Sequence, residues 1–109
     1  LTPEQIAEIS HEAQEAIVDV LISKTKKAIE KYQPASVLLA GGVSANKLLR
    51  QRLQDLCYML HVTCHVPAMQ YTTDNAAMIA VAGYYEFKRL KFQSLKLEDL
   101  DANANWEIA

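Results

Sequence analysis

The run Ala35-Ser36-Val37-Leu38-Leu39-Ala40-Gly41-Gly42-Val43-Ser44-Ala45-Asn46 changes character in its middle. Its first part is short, apolar and rich in strand formers; a glycine pair then stops it, and a segment with helical spacing follows at once. The reading is strand, tight turn, helix. Continuous apolarity from Val37 to Ala40, without alternation, marks an inner parallel strand covered by helices on both faces. Gly41 and Gly42 can take backbone conformations closed to other residues and carry no Cβ to hold a ligand away. The N–H groups at the start of the following helix bear partial positive charge. A phosphate or ribose fits such a turn, and so does a plain βα connection with no ligand. The adjacent glycines do not match the GxGxxG dinucleotide fingerprint.

Outward from this turn the chain reads as α-β-α-β-α. Upstream, Thr2-Pro3-Glu4-Gln5 supplies an N-cap threonine, a proline in the first turn and a glutamine that closes a capping box. The helix predicted over 2–32 carries Ile6, Ile9, Ala13, Ile17, Val20 and Leu21 on one stripe, with Val18 and Ile22 adding a second face. A helix apolar on two sides calls for cover on both, which this chain supplies on one; a partner segment is therefore expected. Pro34 separates this helix from a strand predicted over 36–40.

Downstream, Ser44 is expected to cap a helix over 44–60 whose buried stripe is Leu48 or Leu49, Leu53, Leu56, Cys57 and Leu60. Lys47, Arg50, Gln51 and Gln54 form its polar face. His61-Val62-Thr63-Cys64-His65-Val66-Pro67 contains two histidines at the spacing of a helical metal pair. The β-branched residues between them and the proline after them favour a strand over 61–66, in which four residues span about 13 Å and the two imidazoles cannot share an ion. The two strands, joined through a helix, should lie parallel with a right-handed crossover. The third helix is predicted over 73–90, rich in small residues at Ala76, Ala77, Ala80, Ala82 and Gly83. Asp74 falls in its first turn, where a helix cap is the default explanation of a carboxylate. Leu95 to Ala109 reads as an irregular tail tied down by Trp106.

With 109 residues, half of them apolar, the chain is one domain at most. It starts at Leu1 rather than methionine and is expected to be a piece of something longer. No signal peptide or long apolar span argues for export or a membrane, so the parent is expected in the cytoplasm. Cys57 and Cys64 fit no CxxC pattern and suit reduced, buried thiols. A net charge of −2 argues against a free-standing nucleic-acid binder. The local basic groups Lys24, Lys26, Lys27 and Lys31, then Lys47, Arg50 and Arg52, then Lys88, Arg89 and Lys91 are explained most simply as solvated helix faces.

Taken in order, Leu39-Ala40-Gly41-Gly42-Val43-Ser44-Ala45-Asn46, Tyr71-Thr72-Thr73-Asp74-Asn75-Ala76-Ala77-Met78-Ile79-Ala80, Gly83-Tyr84-Tyr85 and Asp99-Leu100-Asp101-Ala102 with Trp106 closely resemble the C-terminal part of one family. It is the tRNA threonylcarbamoyladenosine transferase family, formerly named O-sialoglycoprotein endopeptidase. The resemblance implies that residues 1–109 are a C-terminal fragment of a domain with the fold of actin, sugar kinases and Hsp70, its N-terminal lobe absent. It implies transfer of a threonylcarbamoyl group from an adenylate to the adenosine 3′ of the anticodon in tRNAs reading codons that begin with A. By the same resemblance Asn46 contacts the adenylate or ATP, Gly41 and Gly42 form the turn beside it, and Asp74 ligates a divalent metal, iron or zinc. The family's two metal-binding histidines lie upstream in the missing lobe, so this chain alone should be inactive. Its implied partners are tRNA, that lobe and other subunits of the transfer complex. Asn103 and Asn105 depart from the family pattern around the tryptophan. Two other readings stand beside this one: a non-catalytic assembly module, and a fragment of a small-molecule kinase of the same superfamily.

Overall fold

The computed structural model describes residues 1–90, and the expected tail around Trp106 lies outside the described residues. The chain divides into two compact units, one spanning Leu1–Asn75 and a second beginning at Ala76. Among the described residues are three α-helices and two parallel strands, in the order helix α1 (Pro3–Tyr32), strand β1 (Ser36–Leu38), helix α2 (Lys47–Met59), strand β2 (Thr63–His65) and helix α3 (Ala76–Leu90).

Helix α1 begins as its sequence requires. Gln5 N–H donates to the Thr2 hydroxyl, and Thr2 N–H donates to Gln5 Oε1, closing the box at 3.3 and 2.9 Å. Only Val18 and Ile29 of this helix are buried, whereas Ile6, Ile9, Ile17 and Val20 are each more than half exposed. The two-faced apolar pattern is therefore covered on one side by the described residues, as the sequence led us to expect.

Strands β1 and β2 pair in parallel, with Ser36 opposite Thr63, Val37 opposite Cys64 and Leu38 opposite His65. Val37, Leu39, Val62 and Cys64 pack on a core of Ile29, Leu53, Leu56 and Cys57, contributed by α1 and α2. Removing Ile29, Leu53 and Leu56 from water contributes about 1.5–3 kcal/mol each, and the partly buried side chains around them add less. The expectation of a strand covered on both faces holds for one face only: Leu38 points away from this cluster and is 72% exposed.

The boundaries differ from the sequence reading by two residues or more at four places, each for a local reason. Strand β1 stops at Leu38 rather than at residue 40, because Ala40 and Gly41 already turn out of the sheet. Helix α2 does not start at Ser44. Gly42–Ala45 forms a 3-10 helix held by Ser44 N–H to Gly41 C=O and Asn46 N–H to Val43 C=O, both 3.0 Å, and Asn46 is the true cap. Helix α3 starts at Ala76 rather than 73, after a 3-10 turn at Met69–Tyr71 and a bend, so Asp74 stands ahead of the helix and not in its first turn.

His61 is not on the strand. It closes α2 in the left-handed conformation, φ 55°, with His61 N–H donating to Tyr58 C=O at 3.2 Å and Val62 N–H to Cys57 C=O at 2.9 Å. This is the paired hydrogen bonding of a Schellman ending, and Val62 packs on the cluster containing Cys57 as that motif favours. A left-handed residue with a Cβ costs about 1–2 kcal/mol, against about 0.5–1 kcal/mol of extra unfolded-state freedom for glycine. His61→Gly is accordingly expected to stabilise the chain by about 0.5–1 kcal/mol, and His61→Val to destabilise it, in urea denaturation.

The second unit contributes α3. Within it the Tyr84 and Tyr85 rings meet edge to face at 5.5 Å between centroids, Lys88 Nζ stands 4.7 Å from the centre of the Tyr84 ring, and Arg89 pairs with Glu86.

Candidate functional site at the glycine turn

Both strands run the same way, so the loops that follow them leave from one end of the pair. Open α/β sheets collect ligands at that end. The first loop is the glycine turn. Gly41 adopts φ 81° and ψ 175°, and Gly42 begins the 3-10 helix. A Cβ added at either glycine would meet nothing within 4 Å among the described residues, so crowding from them does not require either glycine.

Asn46 ends this loop. Its Oδ1 accepts from Leu49 N–H at 3.0 Å, which caps α2, and its Nδ2 donates to Gln14 Oε1 of α1 at 3.1 Å. Each end of the amide keeps one further site, since an amide oxygen accepts twice and an amide nitrogen donates twice. A polar ligand group could therefore be added without undoing the cap. Beside Asn46 runs a groove of about 320 Å3 between α1 and the loop, lined by Ala13, Ile17, Leu21, Val43, Asn46 and Leu49. Its walls are mostly aliphatic, which suits packing rather than phosphate binding.

Ser44, expected as the helix cap, is fully buried, and its hydroxyl has no hydrogen-bond partner among the described residues. Its backbone carbonyl is used instead: Arg50 Nη1 donates to it at 2.7 Å, and Arg50 Nη2 donates to the carbonyl of Pro67, beyond β2. Arg52 pairs with Glu15 and Asp19 of α1. Two members of the basic group on α2 are thus internal ties between elements, correcting the reading of this group as a simply solvated face. The helical spacing put Arg50 on the polar side of α2; the carbonyls it reaches lie 6 and 17 residues away, and no local pattern marks them.

Asp74 lies on the segment after β2, exposed, two residues before α3. The structure gives Gly41, Gly42 and Asn46 a common loop, and it carries Asp74 on the other loop that leaves the same end of the strands. Among the described residues no three His, Cys, Asp or Glu side chains are grouped so as to hold a metal ion. His61 and His65 belong to no such group among the described residues, and His61 stands in the helix-ending turn rather than on the strand that the spacing argument assumed. Cys57 and Cys64 are free thiols, and burial pushes the Cys57 thiol up to about 11, with a smaller contribution from the neighbouring Cys64. At neutral pH Cys57 is therefore a neutral core group, not a nucleophile or a thiolate ligand.

Comparison with known sequences bears on this same region. The model of the family described as tRNA N6-adenosine threonylcarbamoyltransferase matches residues 2–81, which include the glycine turn and Asp74. Proteins of that name are similar over most of the chain. The one from Carboxydothermus hydrogenoformans is 43% identical over 93 residues, covering 85% of this chain and 28% of the relative. That from Mycoplasmopsis synoviae is 45% identical over 86 residues, covering 79% and 27%. That from Syntrophobacter fumaroxidans is 40% identical over 102 residues, covering 94% and 30%. The chain thus spans less than a third of the length of these relatives. A family match running from α1 through both strands and into α3, with about two residues in five identical to each relative, leaves a single assignment: the chain belongs to the tRNA N6-adenosine threonylcarbamoyltransferase family.

Proposed function

We propose that this chain is the C-terminal part of an actin-like transferase that moves a threonylcarbamoyl group from its adenylate to the adenosine 3′ of the anticodon in tRNAs reading codons that begin with A. In that reaction the exocyclic amine of adenosine forms a bond to the carbamoyl carbon, and AMP leaves with the electron pair of the broken anhydride bond. The observation that carries the reading is the family match across the glycine turn, at the end of a parallel strand pair where ligands collect. Gly41 and Gly42 let the nucleotide approach backbone, and Asn46 offers it the unused donor and acceptor of its amide.

The described residues by themselves do not make a metal centre, since a catalytic zinc takes about three protein ligands and Asp74 has no companions. Asp74 is read as the single ligand this segment adds to an iron or zinc site whose other ligands come from the rest of the parent. The chain alone is therefore inactive. The exposed isoleucines and valine of α1 are the surface that remainder would cover. The same exposure suits a non-catalytic assembly module, while the family match favours the transferase over a small-molecule kinase. The parent is read as a cytoplasmic protein acting on tRNA with other subunits; no helix among the described residues is long and apolar enough to cross a membrane.

The test is a graft. The matching segment of the Carboxydothermus relative is replaced by this chain, and threonylcarbamoyl transfer to tRNA is assayed with the relative's own partner subunits. Transfer by the graft, and none by the 109-residue chain, is the expected result. A folded graft with no transfer would overturn the reading in favour of an interaction module.

A further inference from the structure

We infer that Arg50 is a positioning residue that locks the two loops at the ligand end of the parallel pair into one rigid frame. Its guanidinium donates from Nη1 to the carbonyl of Ser44, in the glycine turn after β1, and from Nη2 to the carbonyl of Pro67, after β2. A planar fork whose donors sit on two separate nitrogens holds two carbonyls in a fixed geometry, whereas an ammonium must reach both from a single nitrogen on a flexible stem. Pro67 has no backbone N–H, so its carbonyl is the one backbone group by which this residue can be tied. Arg50 sits in the first turn of α2, itself fixed by the Asn46 cap and by Leu53, Leu56 and Cys57 in the core. Among the described residues no carboxylate pairs with it, whereas Arg52 has two. Arg50 is thus spent on the loops and not on a helix-to-helix ion pair.

The consequence is mechanical. The loop holding Gly41, Gly42 and Asn46 and the loop leading to Asp74 come from different strands, and the sheet pairing ends at Leu38 and His65. Beyond that point the Arg50 fork bridges them. Its role in catalysis rests on the functional reading above; its role in holding the loops does not.

The experiment separates the two. Amide hydrogen exchange is measured on the 109-residue chain with Arg50, with Arg50→Met and with Arg50→Lys, which keeps the charge and guards against loss of the fold. The reporting amides are Ser44 and Asn46 in the first loop and Tyr71 and Thr72 in the second, all hydrogen-bonded within their turns. Leu60 and Val62, bonded at the far end of α2, are the reference. Both loops are expected to exchange together about tenfold faster in Arg50→Met, the effect of losing charge-assisted hydrogen bonds, with Arg50→Lys between and the reference unchanged. Acceleration in one loop alone, in neither, or equally in the reference amides would overturn the inference. In the graft, Arg50→Lys is expected to raise KM for the adenylate several-fold with the melting temperature preserved. An inactive unsubstituted graft would defeat the functional reading while leaving the exchange result to decide the role of Arg50.

Discussion

Asp74→Ala in the grafted protein is expected to abolish threonylcarbamoyl transfer and lower bound metal, while changing stability by less than about 0.5 kcal/mol. The structural half of this expectation follows from where the residue stands. Its carboxylate is exposed, it makes no hydrogen bond or ion pair with the described residues, and α3 begins two residues later with no acidic group in its first turn. A helix-capping carboxylate would cost about 1 kcal/mol on removal, and that explanation, the default from sequence, is withdrawn by the position of the helix start. A side chain with no part in holding the fold, in a segment matched by the family model, is free to serve a ligand. Metal content, transfer rate and denaturation midpoint on the same variant separate the cases. Full metal occupancy with normal transfer would end the proposal for Asp74; a drop of 1 kcal/mol or more in stability would restore a structural role.

The elements of this chain were legible because their signals are local and redundant. The Thr2 to Gln5 box, the leucine stripe of α2 and the apolar run into Gly41 each say the same thing at several positions, and one ambiguous residue changes nothing. The ends of elements were less legible because distant partners decide them. Ser44 and Asn46 are both good caps two residues apart; the choice falls to Asn46 because the 3-10 turn buries Ser44 and because Gln14, 32 residues upstream, completes the Asn46 amide. His61 sits beside strand-forming residues, yet the amides of His61 and Val62 donate to the carbonyls of Tyr58 and Cys57 and hold His61 in the left-handed region. The candidate site shows the same division. Its glycines are visible as residue types, whereas Arg50 looks like any arginine on a polar helix face until the carbonyls it meets are in place.

Gly41→Ala and Gly42→Ala, neighbours with the same chemical change, are expected to behave oppositely. Gly41 has φ 81° with an extended ψ of 175°, a region essentially reserved for glycine, so a methyl group there costs about 1–3 kcal/mol through backbone strain even though nothing lies within 4 Å of it. Gly42 has no positive φ and the same open space, so alanine is tolerated and narrows the unfolded ensemble, a gain of about 0.4–1 kcal/mol. Denaturation of the chain should thus show loss of stability at 41 and a small gain at 42. Ligand binding adds the second half. No atom of the described residues lies within 4 Å of the added methyl, so a loss of function in Gly42→Ala comes from what approaches the turn from outside this segment, and KM for the adenylate is the readout that reports a ligand there. In the graft, Gly42→Ala is therefore expected to raise KM for the adenylate without loss of stability, whereas a plain βα connection would leave KM alone. A Gly41→Ala chain as stable as the parent sequence would show that the turn can relax to a common conformation. An unchanged KM in Gly42→Ala would remove the nucleotide from this turn.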